Sequence, residues 1–197
     1  MFLIFGQQVS LAEVLGFITG ILAVWLTIRQ NLLCFPVGII NVSIYSYVFF
    51  DVKYFANSAL QLVYIILLVY GWINWKVKSN KHELHVSVTN KRLGPILLIV
   101  GLITSAVAGY LLKKTTDAPL PYLDAVTTSM SLVAQWMVAQ KKLENWLVWI
   151  AADIIYVGMY AYQSLYLTAI LYFIFLILAV KGYYEWKKTP GQSKLGV

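Results

Sequence analysis

Asp153 sits in the run ENWLVWIAADIIYVGMY (Glu144–Tyr160), and every residue within four positions of it is apolar or aromatic. At the centre of a membrane span a carboxylate costs ~2.5–3.5 kcal/mol on insertion scales. The usual remedy is a basic neighbour, but no Lys, Arg or His occupies the centre of any candidate span. Two chemistries remain. The group is protonated or hydrogen-bonded and purely structural, or it faces a cavity where a cation completes the pair. Trp149 lies one helical turn away on the same face. Aromatic faces attract cations, so Asp153, Trp149 and the nearby tyrosines would suit a flat organic cation.

Other polar residues at span depth fall on coherent faces. Asn41 and Tyr45 are four apart, and Asn57, Gln61 and Tyr64 follow at four and three. Asp124, Thr128, Ser131 and Gln135 share a face, as do Trp149, Asp153, Tyr156 and Tyr160. Lipid cannot satisfy such groups, so each face turns inward. Hydrogen bonding that merely holds a bundle together is the plain alternative, and such bonds average well under ~1 kcal/mol in membranes. The amides Asn41, Gln61 and Gln135 keep the most capacity for a ligand.

The elements that must carry these faces follow from composition. The 197 residues are 60% hydrophobic and 12% charged. A soluble domain is roughly half apolar and about a quarter charged. Apolar runs of ~20 residues, long enough to cross a bilayer, fill nearly the whole chain. The expected architecture is an all-α integral membrane protein with spans at 11–30, 32–50, 55–75, 93–112, 122–140, 144–162 and 166–186. Pro119 and Pro121 break the chain before span five, and the polar run from Lys76 to Arg92 reads as loop. The opening MFLIFGQQVS has neither the basic start nor the cleavage site of a signal peptide. One cysteine, Cys34, permits no internal disulfide.

The net charge of +7 is explained by topology rather than by nucleic acid. Seven spans put Lys53, Lys113 and Lys114 on one side and the other twelve basic residues on the opposite side. The basic side is cytoplasmic, which puts the N-terminus outside and the C-terminus inside. All seven Trp then fall in cytoplasmic halves, with Trp72, Trp75 and Trp186 expected in an interfacial belt.

The chain also repeats itself. At one fixed offset Glu13 matches Asp124, Trp25 matches Trp136, Tyr45 matches Tyr156, Gly71 matches Gly182, and Trp75-Lys76 matches Trp186-Lys187. Three spans invert direction and a fourth restores it, so the copies are expected as two parallel three-helix repeats, 11–76 and 122–187, joined by a linker helix at 93–112 in one transmembrane domain over 1–197. Transporters use such repeats and bind substrate near the midplane between them. A structural bundle is the alternative. An intramembrane enzyme is a third reading, and no nucleophile, metal set or phosphate loop speaks for it. His82, His85 and Glu83 in the 76–92 loop are a weak metal set, so neither metal nor cofactor is expected.

FPVGIINVSIY (Phe35–Tyr45), QLVYIILLVYGWINW (Gln61–Trp75) and KKLENWLVWIAADIIYVGMYAYQSLY (Lys141–Tyr166) together resemble the PnuC family of bacterial vitamin transporters, over residues 11–188. The resemblance implies a SWEET-like 3+1+3 fold in the bacterial cytoplasmic membrane and facilitated diffusion of a flat cationic vitamin. It further implies a homotrimer and trapping of the vitamin by a cytoplasmic kinase. It maps substrate contacts onto Asn41, Gln61, Trp146, Trp149 and Asp153, with Gln135 and Tyr172; Tyr45 and Tyr156 join them from the polar faces. Val69, Asp153 and the residue before Gly182 replace amides of the riboside carriers. The expected substrate is therefore thiamine, as in the thiamine-transporting branch, with nicotinamide riboside as the alternative.

Overall fold

A computed structural model describes residues 2–4, 7–51, 55–81, 84–116 and 119–189. Residues up to Leu84 and those from His85 onward form two compact units. The first begins with two short antiparallel strands, β1 (Phe2–Ile4) and β2 (Gln7–Val9). Three helices follow: α1 (Leu11–Ile28), α2 (Cys34–Asp51) and α3 (Phe55–Lys81), with α2 packed on both others. The second unit holds α4 (Leu93–Thr115), α5 (Pro121–Ala139), α6 (Asn145–Tyr162) and α7 (Tyr166–Lys187), each packed on the next.

Local chemistry sets the helix ends. Ser10 and Glu13 form a reciprocal capping box at α1, with the Ser10 amide donating to Glu13 Oε2 at 2.7 Å. Pro121 opens α5, where a missing N–H has no cost. The turns after α1, α5 and α6 share one device. Gln30, Lys141 and Ser164 adopt left-handed φ values of 52°, 49° and 59°. In each, the following amide donates to the carbonyl five residues back: Asn31 to Leu26, Lys142 to Met137 and Leu165 to Tyr160. This is the Schellman arrangement, usually reserved for Gly. A side chain in this region costs ~1–2 kcal/mol.

Each expected span coincides with a helix, and two expectations need correction. The α3 helix continues to Lys81, well past the end expected near Trp75. Hydropathy marks where the bilayer stops, whereas a helix stops where its hydrogen bonding is interrupted. The sequence KVKSNK contains neither Gly nor Pro to do that. The aromatic belt is also corrected. Trp75 and Trp186 are 3% and 0% exposed, so they are core residues. Trp25 and Trp72 remain exposed, and Trp25 carries Arg29 over its ring. Lys53, His82, Glu83 and Lys194 lie outside the described residues, as does the side chain of Asn57.

Among the described residues, four helices contain stretches long and apolar enough to cross a membrane: Leu11–Ile28, Leu60–Val77, Leu93–Thr115 and Tyr166–Lys187. The helices α5 and α6 fall short on composition, because they carry Asp124, Thr127, Thr128, Ser131, Gln135 and Asp153. These polar residues are the ones a buried site would need.

Several positions at the fixed sequence offset share local features. Helices α2 and α3 start at Cys34 and Phe55, and α6 and α7 start at the equivalent positions, Asn145 and Tyr166. The left-handed residues Gln30 and Lys141 are equivalent. So are two edge-to-face aromatic pairs, Phe35–Trp75 at 4.9 Å and Trp146–Trp186 at 5.3 Å.

Candidate functional site

The second unit builds its site on the facing sides of α5, α6 and α7. Asp153 is 2% exposed in the middle of α6. Among the described residues no hydrogen bond or ion pair reaches its carboxylate. Three residues further along, Tyr156 is buried, and its hydroxyl lies 3.4 Å from Ser131 Oγ on α5. Ser131 in turn donates to the Thr127 carbonyl at 2.8 Å. Three tyrosine rings stack here. Tyr156 and Tyr172 of α7 are 4.3 Å apart, Tyr160 and Tyr172 5.2 Å, and Tyr156 and Tyr160 5.9 Å. Ala152 and Met159 complete the apolar packing around them. The result is a buried, unpaired carboxylate beside a wall of stacked phenol rings.

Trp149 is half-buried one turn from Asp153, towards the α5–α6 turn. Gln135 is half-buried on α5 and makes no hydrogen bond among the described residues. Trp146 stands apart from this cluster, about two turns or ~10 Å along α6 from Asp153. Its ring is 2% exposed, lying on Gly182 and edge-on to Trp186. The Trp146 indole Nε1 and the Asn145 Oδ1 are both buried without partners.

Asn41, Tyr45 and Gln61 belong to the first unit. Asn41 is spent on helix packing: its Nδ2 donates to the Gly16 carbonyl at 2.6 Å and to Thr19 Oγ1 at 3.0 Å. Tyr45 lies over Gly16, where an added Cβ would come within 2.9 Å of the ring. Gln61 is half-buried, with no hydrogen bond among the described residues. The position of Asn41 in the second unit is Ala152, and that of Thr19 is Met130. The bridge between α1 and α2 therefore has no counterpart between α5 and α6, where a carboxylate appears instead.

Sequence reasoning missed two features. Thr127 is fully buried on α5 between the named face residues, and an alternation of Thr and Ser gives little warning of it. The second is a clasp between loops. Ser87 pairs with Lys142 as a parallel bridge, Leu143 N donates to the Ser87 carbonyl at 3.0 Å, and Glu144 accepts from the Thr89 amide and hydroxyl at 2.9 and 2.7 Å. Partners so far apart in the chain leave no local signal. A separate cleft of about 340 Å³ is lined by Leu120, Leu123, Ile154, Ile155, Gly158, Met159 and Tyr162. It offers no charge and does not include Asp153.

A family model described as nicotinamide mononucleotide transporter matches residues 10–188. The chain belongs to the nicotinamide mononucleotide transporter family. It is 24% identical over 208 residues to the nicotinamide riboside transporter PnuC of Escherichia coli (strain K12), covering 92% of this chain and 87% of that one. It is 22% identical to the riboflavin/roseoflavin transporter RibM of Streptomyces davaonensis, covering 94% of this chain and 88% of the relative. The crystal structure of the vitamin B3 transporter PnuC matches with a TM-score of 0.73 and 25% identity, over 90% of this chain and 80% of that one. The protein is a multi-pass membrane transporter of the PnuC type and not an enzyme. The expectation of thiamine draws no support from these relatives; the riboside alternative fits them better.

Proposed function

We propose that the chain carries nicotinamide riboside across the bacterial cytoplasmic membrane by facilitated diffusion. The observation that carries this reading is the likeness over 92% of the chain to a relative named nicotinamide riboside transporter; the buried, unpartnered Asp153, which stands where an amide was expected of riboside carriers, is the candidate counter-charge. The pyridinium ring of that substrate is flat and positively charged. Asp153 supplies its counter-charge, and Trp149 and the tyrosine stack around Tyr156 and Tyr172 supply aromatic faces. Gln135 bears on the amide and ribose; in the first unit Gln61 keeps its hydrogen-bonding capacity, whereas Asn41 is committed to Gly16 and Thr19. Trp146 acts at the cytoplasmic end through its unpartnered indole N–H.

The two copies work as parallel three-helix repeats, 11–76 and 122–187, with α4 as linker, in a SWEET-like 3+1+3 arrangement. Coincident helix starts and matched aromatic pairs support it. The N-terminus is outside and the C-terminus cytoplasmic, supported by the three-against-twelve distribution of basic residues. No site for an energy source is required, because a cytoplasmic kinase traps the product as its phosphate. The protein works as a homotrimer, each copy with its own pathway.

Uptake into liposomes tests the reading. Labelled nicotinamide riboside should enter until inside and outside concentrations match, without ATP or an imposed proton gradient. Thiamine and riboflavin should compete weakly. Preferred uptake of thiamine would overturn the substrate assignment, and uncoupler-sensitive accumulation would make the protein a symporter.

A further inference from the structure

The acids near the starts of α1 and α5 are treated differently. Glu13 and Asp124 are equivalent in the sequence repeat. Glu13 is occupied in the α1 capping box, where its Oε2 accepts from Ser10. Asp124 caps nothing, since α5 has Leu120 at its N-cap and no side-chain cap bond. Among the described residues nothing donates to the Asp124 carboxylate. The residue is half-buried and shares its face with Thr128 and Ser131. In a membrane, a half-exposed polar face of this kind needs water or a ligand.

Its position relative to Asp153 follows from the α5–α6 hairpin. Asp124 lies roughly four turns from the α5 end at Ala139, and Asp153 lies roughly two turns from the α6 start at Asn145. At 1.5 Å per residue the two carboxylates differ in depth by ~10 Å. The stacked rings of Tyr156, Tyr160 and Tyr172 occupy that interval. Asp153 precedes Tyr156 by three residues on α6, and Asp124 shares its α5 face with Ser131, whose Oγ lies 3.4 Å from the Tyr156 hydroxyl, so both border the same aromatic wall. The buried, unpartnered Asp153 at the deeper end is the independent sign that a cation belongs on this wall.

We propose that Asp124 is an outer loading station for the substrate's positive ring, from which the ring passes along the tyrosine stack to Asp153. The inference rests on the riboside reading and extends it to a residue at the mouth of the pathway. The plain alternative is that Asp124 only favours the positive end of the α5 dipole.

The test is uptake by liposomes of nicotinamide riboside and of its reduced form, whose dihydropyridine ring is uncharged. Asp124→Asn should raise the half-saturation concentration for the cation about three- to tenfold, the size of a partly exposed charge pair. It should leave the reduced form unchanged. Asp124→Glu should keep the parental value, and added salt should weaken the parent's half-saturation more than that of the Asn variant. Equal effects on charged and uncharged substrates would overturn the proposal, as would no effect on either or a Glu variant as impaired as Asn. If the Asn variant fails to fold, Asp124→Thr takes its place under the same criteria. Failure of the parent to carry either form would sink the riboside reading itself; normal parental uptake with an indifferent Asp124→Asn would sink only the outer station.

Discussion

Replacing Gly182 with Ala should destabilise the protein, whereas the same change at Gly158 should not. At Gly182 an added Cβ would lie 2.6 Å from Cε2 and Cζ2 of Trp146 and 2.7 Å from Cδ2. Carbon atoms prefer ~3.5–4.0 Å, so the overlap is about 1 Å. The indole has no room to retreat, because it is 2% exposed and held edge-on by the fully buried Trp186. Overpacking of this kind costs ~1–3 kcal/mol, against a gain of ~1 kcal/mol from replacing a helical Gly. With a rigid ring as the obstacle, the upper part of the range applies and a net loss of ~1–2 kcal/mol is expected. At Gly158, also helical, nothing lies within 4 Å of the added atom, so only the gain remains. For a chain of this size 1 kcal/mol shifts Tm by ~2–4 °C. Thermal unfolding in detergent, followed by tryptophan fluorescence, should show Gly182→Ala lower by a few degrees and Gly158→Ala equal or higher. Equal shifts in both variants would refute the packing argument.

Three further outcomes are expected. Glu144→Ala removes the acceptor of the Thr89 amide, which is shared between both carboxylate oxygens, and of the Thr89 hydroxyl, and should lower stability by ~1.5–3 kcal/mol, the range for bonds to a charged group; Thr89→Val should add little on top. Trp75→Ala, at a buried edge-to-face site, should cost ~3–5 kcal/mol, whereas Trp72→Ala at an exposed position should change Tm little but weaken reconstitution into bilayers. A reporter fused after Lys188 should behave as cytoplasmic and one placed before Leu11 as external; the reverse result contradicts the assigned orientation.

The helices were legible because apolar runs long enough to span a bilayer leave little else for the chain to do. The offset matches of Trp75 with Trp186 and of Gly71 with Gly182 drew attention because these residues are rare, and the two Trp residues do sit in like edge-to-face pairs. The continuation of α3 to Lys81 was not, since hydropathy ends with the bilayer and the helix does not. Nor was the burial of Trp75 and Trp186: a Trp beside a Lys reads as interfacial unless its partner ring, Phe35 or Trp146, is known. The left-handed turns at Gln30, Lys141 and Ser164 carry no glycine to announce them. For the site, the polar faces of α5 and α6 followed from spacing alone. That Asn41 is tied to Gly16 while Asp153 is left unpaired depends on what the neighbouring helix offers, and spacing cannot supply that.

The central claim is that Asp153 is completed by the substrate's charge. Asp153→Asn preserves shape and removes the charge, and titration of the purified variant with nicotinamide riboside and its uncharged reduced form reads the consequence directly. Removing one partner of a buried charge pair costs ~2–5 kcal/mol, so affinity for the cation should fall about 30-fold or more. The reduced form should bind as it does to the parent, and Tm should hold or rise, because a neutral amide is cheaper to bury than a carboxylate. Normal affinity for the cation in the variant, together with a lowered Tm, would contradict the account and make Asp153 a structural group.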